Sequence, residues 1–178
     1  MLVLLIGPPG SGKSTFIRGV RRLMGSDLVV VSPDDIRDEL FGVLMNGGRK
    51  VHKFSREDQR RVFDEAFRRA EGALRKGKVV VVDATNVKPE WRRGWLDIAK
   101  RMKAQVGYVL FDVDIGELKR RIAKRVKEGG LHVPDDVLER MVDWFKKDKR
   151  EDLKRVGAVK LSRKPAQFVK QIEWRKWV

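Results

Sequence analysis

Met1-Leu-Val-Leu-Leu-Ile-Gly7-Pro-Pro-Gly-Ser-Gly12-Lys13-Ser14-Thr15 is the stretch on which the reading of this chain turns. An apolar run of strand length feeds a glycine-rich turn, and apolar residues at helical spacing follow at once (Phe16, Ile17, Val20, Leu23, Met24). Gly7 to Ser14 fits G-x-x-x-x-G-K-[ST], a phosphate-binding loop, in the strand–loop–helix setting that such a loop requires. Glycines let successive backbone N–H groups turn inward around phosphate oxygens, and the helix N-terminus behind them adds partial positive charge. Lys13 can reach the β- and γ-phosphates, and the Ser14 hydroxyl can ligate Mg²⁺. Gly7, Pro8, Pro9, Gly10, Ser11, Gly12, Lys13, Ser14 and Thr15 are therefore expected to bind a nucleoside triphosphate, ATP or GTP.

Working outward, the chain has 178 residues, enough for one domain with a sizeable core, and residues 1–178 are expected to form that single domain. Cysteine is absent, which excludes disulfides and thiolate metal sites. The opening apolar run lacks a preceding basic region and ends in the phosphate loop, so it does not read as a signal peptide. No apolar stretch approaches membrane-spanning length. The expectation is a soluble, cytoplasmic protein with no membrane partner. Its charge is unusual: 41 Lys+Arg against 25 Asp+Glu give +16. The high charged fraction, with asparagine only at Asn46 and Asn86, suits a thermophile's heat-adapted surface. Ion-pair networks alone do not need so large an excess of one sign, and a basic surface that attracts a polyanion explains it better.

Further along, Asp27–Ser32 reads as a second buried strand, and Pro33 suits the first turn of a short helix through Ile36, Leu40 and Phe41. Residues 42–55 are glycine-punctuated and basic (Gly47, Gly48, Arg49, Lys50, Lys53), read as a loop in which His52 is exposed to solvent. Arg56–Lys76 is a long helix. Val79–Val82 is a continuous apolar strand closing on Asp83-Ala-Thr-Asn86. Pro89 starts a helix in which Trp91, Trp95, Ile98 and Met102 recur at helical spacing, which favours core over base-stacking roles for both tryptophans. Gln105–Phe111 is a fourth strand. Asp112 and Asp114 superficially suggest a phosphatase aspartate pair, but Gly116 stands where that motif wants Thr or Val. Glu117–Lys127 is a cationic helix broken by Gly129-Gly130. Pro134 opens a helix running on through the charged stretch Lys146–Arg155. Val156–Leu161 reads as a fifth strand, and Pro165 begins a terminal helix reaching Trp177.

Five apolar strands alternating with helices imply a parallel sheet covered on both faces, an α/β fold. Sites in such folds lie beyond the carboxyl ends of the strands. The phosphate loop, Asp34–Arg37 and Asp83–Asn86 each follow a strand, so three polar clusters converge on one edge. Phosphoryl transfer needs positioning and charge neutralisation more than covalent help. Asp34 or Asp35 can be the base for an acceptor hydroxyl, although Asp34 beside Pro33 also suits a helix cap. Arg37, on the same helical face as Asp34, can orient that carboxylate or clamp an acceptor phosphate. Arg121 and Arg125 project from one helical face and suit either an arginine-rich lid over residues 117–133 or a basic surface helix.

The motif series GPPGSGKST (7–15), SPDDIRDEL (32–40), VVVVDATNVKPEWRR (79–93), ELKRRIAKR (117–125) and VPDDVLERM (133–141) resembles the 5′-hydroxyl polynucleotide kinases of the bacteriophage type. The resemblance implies a P-loop kinase fold and transfer from ATP, with Mg²⁺, to a nucleic acid bearing a 5′-hydroxyl, RNA or DNA. It further implies Asp34 as general base and Arg37 as the residue that binds the acceptor's 3′-phosphate. Lys13 and Ser14 resemble the donor-site pair, with Ser14 on the metal. Arg121 and Arg125 are similar to lid arginines, Arg125 to the one essential for transfer. Asp83 resembles a residue that buttresses the acceptor arginine, with Thr85 and Asn86 lining the same cleft. Nothing here is long enough for the phosphatase domain that follows the phage kinase. The last thirty or so residues, basic and ending Trp174-Arg-Lys-Trp177, have no counterpart there; they could close the sheet behind the adenine, which the strand-like Val156–Leu161 favours, or add to a nucleic-acid surface.

Two rival readings stand beside this one. A kinase of the same fold could act on an aminoacyl-tRNA, a nucleotide sugar or a small metabolite, the last disfavoured by the basic charge. A nucleotide-dependent nucleic-acid-binding ATPase would have no use for an acceptor base such as Asp34. No local motif marks ATP against GTP, RNA against DNA, or the oligomeric state.

Overall fold

The computed structural model describes residues 1–43, 45–46, 49–50 and 55–175. Its centre is β1 (Leu2–Ile6), every residue of which is buried. A strand covered on both faces has no polar side to alternate with, hence its unbroken apolar sequence. Its side chains nevertheless divide by parity. Leu2, Leu4 and Ile6 enter one core with Val80 and Val82 of β5 (Val79–Val82), while Val3 and Leu5 enter the other with Val79 and Val81.

With β2 (Leu28–Val31), β6 (Val106–Leu110) and β7 (Val159–Lys160), these strands form a parallel sheet in the order β2-β5-β1-β6-β7. Leu2 is in register with Val80 on one side and Val106 on the other. The first core is roofed by α3 (Arg56–Arg75), α4 (Pro89–Arg101), α6 (Asp135–Lys147) and α7 (Glu151–Arg155) through Val62, Ala66, Ala70, Trp95, Ile98, Phe145 and Leu153. The second is roofed by α1 (Lys13–Met24) and α8 (Pro165–Arg175), where Phe16 meets Phe168 edge-on at 5.1 Å between ring centroids. The α/β architecture with helices on both faces is as the sequence implied. No described helix is long and apolar enough to cross a membrane.

Two further helices frame the carboxyl edge of the sheet. Helix α2 (Pro33–Phe41) is capped by Ser32, whose Oγ accepts from the Asp35 backbone N–H at 3.2 Å. Helix α5 (Ile115–Lys127) is capped by Asp114, which accepts from Gly116 N–H at 2.8 Å. That cap gives Asp114 a structural role, in keeping with rejection of a phosphatase pair. Leu118 and Ile122 of α5 pack with Val133, Leu138 and Val142 into a third, separate apolar cluster.

Several boundaries differ from expectation. Residues 42–55 include an antiparallel pair, β3 (Met45–Asn46) with β4 (Arg49–Lys50), for which the intervening Gly-Gly is a hairpin signal. The readings of Gly47, Gly48, His52, Lys53 and Trp177 lie outside the described residues. The helix expected to run from Pro134 to Arg155 instead stops at Lys147. Asp148 there accepts from the Arg150 backbone N–H at 2.9 Å, a local bond that competes with helix, and Arg150 adopts a left-handed φ of 56° before α7 begins. Consequently β7 is confined to Val159–Lys160, and Val156 is exposed.

The same turn carries a buried ion network. Arg92 of α4 is fully buried; its Nε and Nη2 donate to the two Asp152 oxygens at 2.8 and 2.7 Å, and its Nη1 to Asp148 Oδ2 at 2.7 Å and to the Asn86 carbonyl at 2.8 Å. Burial opposes the charge on Arg92, but its hydrogen bonds to Asp152 and Asp148 outweigh it and hold the guanidinium protonated. Removing one member of such a network strands the others. Arg92→Ala should therefore cost about 3–5 kcal/mol in urea-induced unfolding, far beyond a surface arginine.

Candidate active site

At the carboxyl edge of the sheet lies a cleft of about 980 Å³. Its floor is the loop between β1 and α1, where Gly10 and Gly12 take left-handed φ values of 78° and 101°. These conformations suit glycine and turn the loop around a concave surface. Gly7 sits at the loop's root, with Phe111 so close that an added Cβ would stand 2.8 Å from the phenylalanine's own Cβ. The Lys13 ammonium folds into the loop, donating to the carbonyls of Gly7 and Pro8 at 2.8 Å each. Burial lowers its pKa to about 8, opposed by the charge of Asp83 and assisted by that of Arg125. Ser14 and Thr15 are exposed on the cleft wall.

Four carboxylates of the described residues line the cleft, Asp112 just after β6 and three others. Asp34 and Asp35 come from the first turn of α2, and Asp83 from the end of β5. Because Ser32 provides the cap, the Asp34 carboxylate is not engaged in capping. It accepts from Arg37 Nη1 at 2.5 Å, and Arg37 Nη2 donates to Gln59 Oε1 of α3 at 2.9 Å. Arg37 is buried and does not line the cleft, a geometry that suits orienting Asp34 over clamping an acceptor phosphate. Asp83 has a raised pKa, chiefly from burial; Lys13 opposes the rise, and the charges of Asp34 and Asp35 add to it.

Oxygen donors crowded in this way suit Mg²⁺, which takes one or two carboxylates plus substrate phosphates and keeps several waters. Ser14 and Asp83 are the residues that could hold it. Among the described residues no group of three or more His, Cys, Asp or Glu is placed to hold a metal by itself.

The far wall is α5. Arg121 Nη1 donates to the Gly10 carbonyl at 3.3 Å, and its Nε to Glu117 Oε1 at 2.6 Å. Hydrogen bonds from Arg120 and Arg121 hold the Glu117 carboxyl at about 2, so it remains a charged anchor for Arg121. Arg125 Nη2 donates to the Leu131 carbonyl at 2.9 Å, while its buried Nε has no hydrogen-bond partner among the described residues. Burial lowers the Arg125 pKa, and the charge of Asp34 across the cleft partly offsets this. An added Cβ at Gly130 would stand 2.4 Å from Arg125 Cγ, so the absence of a side chain at residue 130 gives Arg125 its path.

Lys13, Ser14, Asp34, Asp83, Thr85, Arg121 and Arg125 thus meet at one cleft. Asn86 does not: it is buried with a left-handed φ of 48°, and its Nδ2 donates to the Leu5 carbonyl at 2.9 Å, tying the loop after β5 to β1. Sequence reading missed Gln59, with no local signal to find it, and Glu117, which its i,i+4 spacing from Arg121 could have revealed. It also left unassigned Arg163, Lys164 and Pro165, which close the cleft beside β7.

A family model described as an AAA domain matches residues 2–147, from β1 to the end of α6. The chain belongs to that family. An uncharacterized protein of Mycobacterium tuberculosis is 39% identical over 95 residues, 51% of this chain and 19% of its own length. The chain therefore spans about a fifth of the curated relatives it matches. A chain of the Pnkp1/Rnl/Hen1 RNA repair complex is similar with a TM-score of 0.68 and 29% identity over 84% of this chain and 45% of that one. Kti12 of Chaetomium thermophilum, in complex with ADP-AlF3, has a TM-score of 0.66 and 16% identity over 97% of each chain. A gluconokinase of Sinorhizobium meliloti gives 0.54 and 17%, over 94% of this chain and 86% of the other. The fold of the family member described here is that of the P-loop kinases.

Two outcomes follow from this geometry. Lys13 is protonated up to about pH 8 in the folded chain and to its ordinary 10.5 when unfolded. Rising pH through that window releases the cost of burying its charge and favours folding, but it removes the cation that phosphate needs. In fluorescence titrations, nucleotide affinity attributable to Lys13 should weaken above pH 8 by at most about tenfold per pH unit, and Lys13→Met should abolish that slope. Gly130→Ala should push Arg125 out of its path and destabilise the chain by about 1–3 kcal/mol in urea-induced unfolding, the usual cost of forcing a methyl group into filled space.

Proposed function

We propose that the chain transfers the γ-phosphoryl group of ATP to the 5′-hydroxyl end of a polynucleotide. The observation that carries this reading is Asp34: a carboxylate on the cleft, excused from capping by Ser32 and oriented by Arg37 at 2.5 Å. A nucleotide switch has no need of such a group, whereas transfer to an alcohol needs a base within reach of the attacking hydroxyl. Further support comes from the +16 charge, which suits a polyanionic acceptor, and from the likeness to a chain of an RNA repair complex.

In this reading the loop N–H groups and Lys13 hold the donor phosphates, and Arg121 rests on the loop carbonyl beside them. Ser14 and Asp83 would hold Mg²⁺, which would supply charge neutralisation for the donor phosphates. Asp34 receives the proton of the acceptor hydroxyl, and Arg37 holds the carboxylate in place. Arg125, on the opposite wall from Asp34, meets the charge of the group in transfer. Thr85, on the same wall as Asp83, contacts the acceptor. Arg163, Lys164 and Pro165 border the donor's base side.

The test is transfer of labelled γ-phosphate from ATP to matched 5′-hydroxyl and 5′-phosphate oligonucleotides, as RNA and as DNA. Labelling should be confined to 5′-hydroxyl ends and fall by about 10²–10⁴-fold in Asp34→Asn. Intact ATP binding with no labelled end would overturn the polynucleotide reading.

A further inference from the structure

The helix after the Asp83–Asn86 loop carries two tryptophans with opposite fates. Trp95 is buried against Phe67, edge-on at 4.7 Å between centroids. Trp91 is 39% exposed, and it is the one aromatic among the exposed large apolar side chains of the described residues. Its ring meets Trp144 of α6 edge-on at 5.6 Å and 86°. The Lys88 ammonium lies 4.1 Å from the Trp144 centroid and 5.9 Å from that of Trp91. Two indoles and a cation are thus fixed against one another beside solvent. Leaving a large apolar ring in water is a cost that folding alone does not require, since one turn later the chain buries Trp95.

The setting is cationic. Arg93, Lys146 and Lys149 are exposed near this cluster in sequence. Of the nearby acids, Asp148 and Asp152 are engaged by buried Arg92, and Asp143 is paired with Lys147 at 2.9 Å, which leaves Glu90. The cluster also adjoins the cleft. Thr85 lines the cleft, and Lys88 is three residues on, so their Cα atoms are at most about 11 Å apart. About three nucleotides at ~3.4 Å each cover that distance.

We infer that Trp91, backed by Trp144 and Lys88, is a stacking platform for a single-stranded polynucleotide, engaging a nucleobase a few residues downstream of the 5′ end held in the cleft. A base can stack on the exposed indole, and the cations answer the phosphates on either side, the combination by which proteins hold single strands without reading sequence. This inference rests on the proposed polynucleotide acceptor. It adds a length requirement: short acceptors fill the cleft alone, longer ones reach the platform.

The experiment compares wild type, Trp91→Ala and Trp91→Phe with two 5′-hydroxyl acceptors, a nucleoside 3′-phosphate and a single-stranded decamer. Alanine should raise KM for the decamer at least about fivefold, with kcat and the KM of the nucleoside 3′-phosphate unchanged, and phenylalanine should restore the decamer's KM. A parallel titration of tryptophan fluorescence with the decamer, without ATP, should show saturable quenching in wild type that weakens in Trp91→Ala. Equal effects on both acceptors, no decamer-dependent quenching, or equally tight binding of a blunt duplex would overturn the platform. Quenching that depends on Trp91, with neither acceptor phosphorylated by wild type, would sustain the platform and reject the kinase reading.

Discussion

A lysine ammonium withdrawn from water must be met by oxygen, and the architecture around Lys13 is arranged to meet it. The carbonyls of Gly7 and Pro8 accept its protons, and Asp83 supplies the countercharge that most opposes its loss. Each of these groups is delivered by a strand end: the loop by β1 and Asp83 by its neighbour β5. Their spacing is fixed by adjacent parallel strands, whose hydrogen-bonded separation of about 4.8 Å leaves little freedom at the edge. Burying β1 on both faces is thus what makes the floor of the cleft stiff.

The charges around the cleft alternate across it. Lys13, Arg121 and Arg125 face Asp34, Asp35 and Asp83, and burial together with the charges of Asp34 and Asp35 raises the proton affinity of Asp83 against the pull of Lys13. Such a cleft is stabilised by a ligand carrying both signs, a phosphate chain with a divalent ion. The proposed reaction fits that balance, since its donor is such a chain and its acceptor presents a hydroxyl to the carboxylate side.

Much of this could be read from the residues. The glycine-lysine loop, the valine run ending in Asp83, and Asp34 just past a strand are local patterns, and a parallel sheet places all three at one edge whatever the details of packing. What escaped was decided by tertiary contacts. Trp91 and Trp95 sit on one amphipathic pattern, yet only Trp95 reaches the core, while Trp91 meets Trp144 of α6 beside solvent. Arg92 looks like one more surface cation until Asp148 and Asp152 of a distant segment and the carbonyl of nearby Asn86 surround it. The end of α6 at Lys147 turned on Asp148, whose side chain offers the backbone a partner that a charge pattern does not disclose. Asn86 was placed in the cleft by motif, but its amide is committed to the Leu5 carbonyl.

Helix α6 belongs to two apolar clusters at once, Leu138 and Val142 to that of α5 and Phe145 to the main core. Its 13 residues make a strut about 20 Å long. At its foot Asp148 is joined through Arg92 to the Asn86 carbonyl. The arginine wall and the loop carrying Asp83 and Thr85 are therefore tied to each other through α6, Asp148 and Arg92.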